Sequence, residues 1–418
     1  MTEKTMRPST YAIIEPEEAS KLIYENVAQV GVEEISLLEG NGRILAEDIY
    51  AIGDMPPFDT TAVDGYALLW EDGIETRLII GERTAGKVSD VTVVAGTAVR
   101  IMTGAPLPSG ANSVIMVEDT SEDNKKLIVR KLPQASDNIR PTGQDLQAGQ
   151  LVLKAGITLN AAELGLIATV NRPRFQAVRR PRIAIISTGD EIVEPGEVAA
   201  YGQIYDSNRF SLVAAVRNAG AEAVSLGIAP DTREGLKNLV ERALAEYDGL
   251  VTSGGVSVGK LDLVKDLLEE MGTIHFGRVN LKPGKPLTFV TVEVDGKRKP
   301  VFGLPGFPVS SLVSFELFVR PALLKMGGFA ELSRPVLQVR TEHVIKHSPE
   351  RNEFVRAIVT SHYDPETSNY WYSARTTGAQ TSSRLLSMLG ANALLKLVPG
   401  SNEIAEGSIV SAILIEQI

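Results

Sequence analysis

Three strand-to-loop transitions in the third quarter of the chain constrain its fold more than any other feature. Each is a β-branched apolar run that stops abruptly at small, hydroxyl or acidic residues. The three segments are IAIISTGDE (183–191), LVTSGGVSVGKLD (250–262) and VFGLPGFPVSS (301–311). In an open α/β sheet, the loops that follow the carboxyl ends of the strands meet at one edge, where ligands bind. The sequence therefore predicts a phosphate or nucleotide site at such an edge.

Strand and helix patterns alternate from residue 182 onward, which indicates βαβ units and a mainly parallel sheet. The predicted strands are RIAIIS (182–187), AEAVSLGI (221–228), DGLVTS (248–253) and TIHFGRV (273–279). A helix is predicted over 231–247, with a capping box formed by Asp231 and Glu234. A second helix is predicted over 307–328, and we expect Pro321 to end or kink it early.

The rest of the chain has a different texture. An amphipathic helix is predicted over 16–30, and the following residues to about 145 resemble short strands joined by turns, with a hairpin tip at 121–127. A short helix is expected over 161–171. After residue 335 strands and turns return, with one helix at 382–390.

Composition excludes several classes of protein. A chain of 418 residues is too long for one ordinary core, so three or four domains are expected. Its 42 basic against 52 acidic residues give a net charge of −10, which argues against nucleic-acid binding. The absence of cysteine excludes disulfides, thiolate metal sites and cysteine nucleophiles. No signal-peptide pattern and no apolar run of membrane-spanning length is present, so we expect a cytoplasmic protein that does not enter membranes.

The segment GGVSVGK (254–260) nearly matches a P-loop. The next residue is Leu261, however, where a P-loop has the Ser or Thr whose hydroxyl binds Mg²⁺. A P-loop ATPase is therefore disfavoured, whereas a glycine-rich cradle for an anion is still predicted. Asp262 could hold a metal or polarise a nucleophile, and it could equally be a helix N-terminal acid stabilised by the helix dipole.

Two lysines occur in a segment stiffened by prolines, LKPGKPL (281–287). The fixed φ of Pro283 and Pro286 would hold the ammonium groups of Lys282 and Lys285 near one point, which suits a multiply charged oxyanion. The alternative is a basic turn on a solvated surface, which in isolation is the commoner case.

Four acids in turns could supply oxygen ligands for Mg²⁺, although each is also explained as a turn or cap residue. They are Asp64, Asp145, Glu191 and Asp231. A zinc site at His343 and His347 is not expected, because their segment resembles a strand. In a strand, residues i and i+4 lie too far apart to bind one metal ion. A Ser-His-Asp hydrolase is disfavoured because no GxSxG motif occurs.

An ordered set of motifs covers nearly the whole chain. They are FDTTAVDGYA (58–67), RIMTGAPLPSGA (100–111), NIRPTGQDLQAG (138–149), STGDE (187–191), GQIYDSN (202–208), TSGGVSVGKLD (252–262), LKPGKP (281–286), GLPGFPVSS (303–311) and SSRLLSMLGANALL (382–395). In this order they resemble the MoeA family of molybdopterin molybdenumtransferases, which includes the E domain of gephyrin. Each motif alone would be weak, whereas the whole set is specific.

The resemblance implies a fold of α/β plus β-rich domains: an elongated protomer with a three-layer α/β domain, a β-rich second domain and a C-terminal β-barrel-like domain. Its implied domains are 1–49 with 146–178 for linking and dimerisation, 50–145 (β-rich), 179–328 (α/β, binding molybdopterin and nucleotide) and 329–418 (C-terminal β domain). The protein would be a homodimer, with a site between the α/β domain of one subunit and the β-rich domain of the other.

The resemblance also implies a reaction, in which molybdate and adenylylated molybdopterin give molybdenum cofactor and AMP. Mg²⁺ would be the cofactor, and a molybdopterin adenylyltransferase would donate the substrate. The implied catalytic residues are Asp64, Thr103, Asp145, Glu191, Asp231 and Asp262, and the implied metal ligands are Asp64, Glu191, Asp231 and Asp262. The implied binding residues are Ser253, Gly254, Gly255, Ser257, Gly259, Lys282, Lys285, Pro286, Gly303, Pro305, Gly306, Pro308, Arg356, Ser382 and Ser383.

The sequence departs from the family pattern at two places in the predicted site. Lys260 stands where the family has Glu, and Phe307 stands where it has Asn. These changes are compatible with a paralogue that prefers tungstate. A non-catalytic protein that binds or scaffolds the cofactor on the same fold is a further alternative, although the retained Lys285 and Asp64 favour an enzyme.

Overall fold

The structure is a computed structural model that describes residues 11–86, 90–230, 232–254 and 263–418. The chain forms two compact units. The larger unit comprises the described residues up to Glu33, Gly42–Ile44 and Gln176–Ile418, and the smaller unit comprises Glu34–Asn41 and Leu45–Phe175. Within the described ranges, no helix is long and apolar enough to cross a membrane.

The helices confirm most of the predicted ones. Those of the described residues are α1 Pro16–Asn26, α2 Ala161–Thr169, α3 Asn208–Asn218, α4 Arg233–Glu246, α5 Leu263–Met271, α6 Pro308–Ser314 and α7 Arg320–Met326. The helix predicted over 16–30 ends four residues early, because Val27 is extended. The segment at 382–390 contains only a 3₁₀ turn, Leu385–Met388, so the helix expected there was wrong.

The strands account for the β-rich texture at both ends of the chain. In the first part they are β1 Val32–Ser36, β2 Ile49–Tyr50, β3 Thr60–Thr61, β4 Gly65–Leu68, β5 Arg77–Arg83, β6 Thr97–Ile101, β7 Ser113–Met116, β8 Thr120–Asp123, β9 Lys126–Val129, β10 Ile139–Arg140, β11 Leu151–Leu153 and β12 Arg174–Val178. In the second part they are β13 Arg182–Ser187, β14 Ile192–Val193, β15 Ile204–Tyr205, β16 Glu222–Ile228, β17 Gly249–Ser253, β18 Thr273–Phe276, β19 Leu281–Lys282, β20 Thr288–Val294, β21 Lys297–Leu304, β22 Val336–Thr341, β23 Ile345–Lys346, β24 Asn352–Asp364, β25 Asn369–Thr376, β26 Ala393–Leu397, β27 Glu403–Ile404 and β28 Ile409–Leu414.

The larger unit contains the predicted three-layer α/β domain. Its sheet has the order β16-β13-β17-β21-β20-β18, in which the first four strands are parallel and β20 is antiparallel to both neighbours. Alternate residues of β13 face opposite layers: Ile183 and Ile185 pack with α3, α6 and α7, and Ala184 and Ile186 pack with α4 and α5. A strand buried on both faces is apolar along its buried length, which explains the unbroken apolar run IAII (183–186).

The C-terminal part of the larger unit is a small closed barrel, as the resemblance implied. Strands β24, β25, β22, β28 and β26 follow one another, and β26 pairs again with β24 to close the sheet. Strand β19 pairs in parallel with the start of β24, with Lys282 opposite Glu353. This pairing brings the proline-stiffened segment beside the barrel.

The smaller unit is built around a six-stranded sheet of order β7-β4-β6-β5-β9-β8. The predicted hairpin tip is confirmed, because β8 and β9 are joined by Asn124 and Lys125, whose φ angles are 50° and 63°. Strands β4 and β6 are antiparallel, with Gly65 opposite Ile101. The residues just outside this pair, Asp64 and Thr103, therefore lie side by side.

Two details of the predicted helices were wrong. The N-cap of α4 is Thr232, whose hydroxyl accepts a hydrogen bond from the backbone N–H of Gly235. The capping box expected from Asp231 and Glu234 therefore does not define the start of α4. Asp231 itself lies outside the described residues. The early end expected at Pro321 was also wrong, because helical residues continue to Met326 after a π-helical stretch, Phe315–Val319, which widens the turn where a proline would otherwise clash. The other expected effect of Pro321, a kink, stays a prediction.

Candidate functional site

A cleft of about 1270 Å³ lies at the carboxyl edge of the parallel strands in the larger unit. Strands β16 and β17 flank β13 on opposite sides, so the connections after β13 diverge at this point of the sheet. Such a switch point opens a crevice where ligands bind. The loops after β13, β16, β17 and β21 line the cleft, together with residues 281–286 and loops of the barrel. The edge predicted from the three transitions is therefore present.

Glycine is needed where the loops approach one another. Gly254 has φ +88°, and a Cβ there would lie 2.5 Å from the carbonyl oxygen of Thr188. Its backbone N–H donates to the carbonyl of Leu304 at 3.0 Å. The loops after β13, β17 and β21 are thus held close together. Because glycine has no side chain, the backbone remains accessible to a ligand.

Asn208, at the start of α3, fixes two of these loops. Its amide nitrogen lies 2.7 Å from the hydroxyl of Ser253 and 2.7 Å from the carbonyl of Gly306. Asn208 is 7% exposed, and its amide oxygen has no hydrogen-bond partner among the described residues. Ser253 is consequently a buried structural contact that does not line the cleft. The sequence contained Asn208 in the motif GQIYDSN, but nothing in its spacing indicated this bridging contact.

The two predicted lysines have different electrostatic surroundings. The ammonium of Lys282 lies 3.2 Å from the carboxylate of Glu353, which also accepts a hydrogen bond of 2.8 Å from the backbone N–H of Ser348. The Glu353 side chain is only 5% exposed, so this carboxylate is held firmly. The charge of Lys282 is therefore largely balanced by the protein itself.

Lys285 belongs to a group of cations that line the cleft without an ion-pair partner among the described residues. The other two are Lys346, which lies in β23, and Arg351, which lies just before β24. Partial burial lowers the pKa of Lys285 below its usual value, and repulsion from Arg278 and Arg351 lowers it further. A bound anion would relieve this repulsion. Sequence inspection missed Lys346 and Arg351, because the β19–β24 pairing alone brings the barrel beside Lys285.

Arg356 is buried against the barrel side of the cleft, with 1% of its surface exposed. Its guanidinium donates to the hydroxyl of Ser387 at 3.2 Å and to the carbonyl of Thr381 at 3.4 Å. Burial lowers the pKa of Arg356 to about 10, and the negative charge of Glu353 opposes this change. Arg356 thereby supports residues 380–383 rather than lining the cleft, and no carboxylate forms an ion pair with it within the described part of the chain.

Of the predicted acids that the structure describes, Glu191 is the one that lines the cleft. Its carboxylate folds over Gly189, where a Cβ would lie 2.7 Å from one carboxylate oxygen. Gly189 has φ +143°, so the close approach depends on glycine. The carboxylate has neither a hydrogen bond nor an ion pair to any described residue, and is thus available to a cation. Groups of three or more potential metal ligands are absent from the described residues.

Ten predicted site residues line the cleft together. They are Glu191, Gly254, Lys282, Lys285, Pro286, Pro305, Gly306, Pro308, Ser382 and Ser383. Ser253, Gly303 and Arg356 are buried behind it. Five more, Asp231, Gly255, Ser257, Gly259 and Asp262, lie outside the described residues.

The remaining predicted residues belong to the smaller unit. One carboxylate oxygen of Asp64 accepts hydrogen bonds from the backbone N–H of Thr103 at 2.7 Å and from its hydroxyl at 2.8 Å. These two bonds hold the pKa of Asp64 below its ordinary value. Asp145 forms an ion pair of 2.5 Å with Arg140. Asp64, Thr103 and Asp145 are exposed.

Among the residues that the structure describes, the cleft combines a glycine-lined backbone edge with unpaired cations and one free carboxylate, that of Glu191. This combination defines the class of α/β proteins that bind phosphorylated or oxyanionic ligands at the strand edge. Comparisons with sequence families are more specific. Residues 14–171 match the MoeA N-terminal region (domain I and II), 184–325 match a probable molybdopterin binding domain, and 338–415 match the MoeA C-terminal region (domain IV).

Named relatives agree with these matches. The molybdopterin molybdenumtransferase of Nostoc sp. is 35% identical over 91% of this chain and 88% of its own length. That of Haemophilus influenzae is 36% identical over 76% of this chain and 78% of its own. Gephyrin of Dictyostelium discoideum is 36% identical over 98% of this chain, which spans 63% of that protein. The chain belongs to the molybdopterin molybdenumtransferase (MoeA) family.

Solved structures confirm the fold. Two structures of the molybdopterin biosynthesis MoeA protein from Pyrococcus horikoshii superpose with TM-scores of 0.80 and 0.77, at 31% and 28% identity. They cover 97% and 96% of this chain and 100% of each Pyrococcus chain. The predicted family, the mixed α/β and β-rich fold and the transferase class are thereby confirmed.

Proposed function

We propose that this protein inserts molybdenum from molybdate into adenylylated molybdopterin and releases AMP. The family relationship supports the transferase activity on molybdopterin. The observation that carries the assignment to this cleft is that Lys285, Lys346 and Arg351, which have no ion-pair partner among the described residues, line the same cleft as the glycine-rich strand edge. Both substrates are multiply charged anions, and unpaired cations in a partly enclosed site attract such ligands more strongly than surface charges do.

Molybdate is assigned to the part of the cleft that is lined by Lys285, Ser382 and Ser383. Of the two serines, Ser383 is exposed and Ser382 is half-buried. Hydroxyl and ammonium groups donate hydrogen bonds to a tetrahedral oxyanion. Arg356 contributes a positive charge behind this loop and holds its backbone through Thr381. Lys282, which is paired with Glu353, positions the segment and contributes less net charge.

The phosphates of the pterin substrate are assigned to Arg351, Lys346 and the backbone around Gly254 and Gly306. Water or a molybdate oxygen attacks phosphorus and breaks the phosphoanhydride, so that AMP is released and negative charge concentrates on the separating phosphates. Fixed cations that are already in place stabilise this charge without reorganisation. The two dithiolene thiols of molybdopterin then bind molybdenum in place of oxygen, and the displaced oxygen leaves as water with the thiol protons.

Mg²⁺ is proposed as the cofactor. Glu191 fits it, because Glu191 lines the cleft and its carboxylate has no hydrogen bond or ion pair to a described residue. Mg²⁺ commonly takes one or two carboxylates together with substrate phosphates. Asp64, Asp231 and Asp262 are the other proposed ligands. When bound, the ion would neutralise charge on the phosphoanhydride.

A homodimer is also proposed, in which Asp64 and Thr103 from one subunit complete the cleft of the other. Two observations support a role for this pair: Asp64 is exposed, and its ionised state is stabilised by Thr103. A molybdopterin adenylyltransferase is proposed as the donor of the substrate, because the adenylylated pterin must be made by a nucleotidyl transfer.

The test supplies adenylylated molybdopterin with Mg²⁺ and titrates molybdate or tungstate while AMP is measured. We expect molybdate-dependent AMP release that is abolished in Lys285→Ala. Lys237→Ala is the matched control, because Lys237 is a surface lysine of α4 paired only with Glu241. Release with tungstate alone would indicate a tungsten enzyme. Absence of release with either oxyanion would refute the transferase activity and leave a binding protein.

A further inference from the structure

Two exposed aromatic rings line the cleft on the side of the α/β domain. Phe307 is 59% exposed and Tyr205 is 52% exposed, and both contribute to the cleft wall. Ile204, also in this wall, is 60% exposed. Single exposed apolar residues are normal on a protein surface. Two aromatic residues in the wall of one polar ligand cleft are more informative, because a bound ligand can cover both.

The backbone that carries Phe307 is held from both sides. Pro305 and Pro308 restrict it, and its φ and ψ of −72° and 130° are those expected before a proline. The carbonyl of Gly306 accepts the amide of Asn208 at 2.7 Å. The carbonyl of Phe307 accepts the N–H of Ser311 at 2.9 Å, which begins the helix. The ring is therefore presented from a rigid backbone, so little entropy is lost when a ligand stacks on it.

Tyr205 is also restrained. It ends β15, which pairs in parallel with β14, and its hydroxyl donates to the carbonyl of Glu197 at 3.2 Å. The next residue, Asp206, is buried and forms an ion pair of 2.8 Å with Arg209. The Tyr205 side chain is thus held at its backbone and at its hydroxyl, while about half of the residue remains exposed.

The ligand chemistry follows from the two sides of the cleft. The barrel side supplies the unpaired cations Lys346 and Arg351, and the α/β side supplies the aromatic wall. We infer that Phe307 and Tyr205 form a stacking surface for a flat heteroaromatic ring of a phosphorylated ligand. Under the proposed function, on which this inference rests, that ring is the pterin or the adenine of the substrate.

Phe307 sets the mode of recognition. The Asn of the family pattern can hydrogen-bond to a ring edge, whereas a phenyl group cannot and offers a π face instead. Stacking tolerates different bases, because every heteroaromatic ring has such a face. This chain therefore recognises its ring by contact area and shape rather than by hydrogen bonds from residue 307.

The test measures binding of three probes to the full-length protein by titration calorimetry. AMP carries adenine and a phosphate, ribose 5-phosphate carries the same phosphate without a ring, and pterin carries the other ring. We expect Phe307→Ala to weaken binding of AMP, of pterin or of both by roughly tenfold or more, the range of aromatic–base stacking. The ring probe that loses affinity identifies which ring stacks here. Ribose 5-phosphate affinity should change less than about twofold.

Matched variants separate stacking from loss of structure. Phe307→Trp should retain the affinity for the ring-bearing probe, and Phe307→Asn should lose it. Tyr370→Ala removes an aromatic residue of similar exposure on the β24–β25 hairpin, outside the cleft wall, and should change nothing. Equal loss of AMP and ribose 5-phosphate in Phe307→Ala, or unchanged affinity for both ring probes, would overturn the inference. Either result is compatible with normal AMP release by the wild type, which tests the proposed function separately.

Discussion

Replacement of Arg356 by Met tests whether this buried cation serves ligand binding or stability. Lowering the pKa from 12.5 to about 10 means that the fold disfavours the charged form by roughly 3 kcal/mol. The hydrogen bonds to Ser387 and Thr381 are 3.2 and 3.4 Å long and contribute about 1 kcal/mol each. Met has a similar length and no charge. Stability should therefore stay within about 1 kcal/mol of the wild type, or increase slightly.

Activity should respond in the opposite way. Without the guanidinium, the loop that carries Ser382 loses both its support and a nearby positive charge, so molybdate-dependent AMP release should fall by at least tenfold, or about 1.4 kcal/mol. Molybdate at a hundred times its dissociation constant should stabilise the wild type by roughly 2.7 kcal/mol. Arg356→Met should show little of this stabilisation.

Urea unfolding gives the stability readout. Trp371 belongs to the barrel that contains Arg356, and in a Trp70→Phe background its fluorescence reports this region alone. The reasoning would be refuted if Arg356→Met lost more than about 3 kcal/mol, since that would make the residue a structural anchor. Full molybdate stabilisation in the variant would refute the ligand role.

Three further predictions concern the loop, the dimer and pH. Gly284→Ala should displace Lys285 and lower kcat/KM. Gly284 has φ +113°, and a Cβ there would lie 2.6 Å from the hydroxyl oxygen of Ser314. Gly296→Ala, also at positive φ but with nothing within 4 Å, should keep full activity; equal loss in both would contradict this. Co-expressed Asp64→Ala and Lys285→Ala chains, each inactive alone, should recover roughly a quarter of wild-type AMP release if two subunits share a site, and no recovery would exclude the shared site. Burial raises the pKa of Asp248, but hydrogen bonds from Arg179 and from the backbone N–H of Arg182 lower it by more, so the net effect is a lowered pKa. The contribution of Asp248 to the free energy of unfolding is present above its unfolded-state pKa and is lost as the pH falls through its lower folded-state pKa. Asp248→Asn should therefore flatten the acid limb of the curve of stability against pH, measured by urea unfolding. An unchanged acid limb would contradict this prediction.

Much of the fold could be predicted from the sequence, because the relevant signals are local. The strand β13 was predicted at its observed bounds, and α2 began where expected with a capping box from Asn160 to Glu163. Errors occurred where tertiary context changes local geometry. The π-helical stretch before Pro321 is one case, since nothing in the residues themselves signals a widened turn.

The candidate site was predictable only in part. Gly254 and Lys285 were singled out because glycine-rich turns and proline-stiffened lysines are short-range patterns. Arg351 was missed because its approach to Lys285 depends on the pairing of β19 with β24, which are separated by about 70 residues. Lys282 was ranked equal to Lys285, and the structure distinguishes them through Glu353. Pairing between distant segments cannot be inferred from spacing along one chain.

The sequence by itself determined the family, the order of strands and helices and the position of the glycine-rich turns. These depend on residue type and spacing, which persist whatever the final packing. The tertiary structure decided which charges are balanced and which remain free to bind a ligand, and which aromatic rings open into the cleft. Those properties depend on distances across the sheet edge between residues far apart in the chain. The three strand-to-loop transitions thus predicted where a site would form, and folding of the barrel beside them determined its charge.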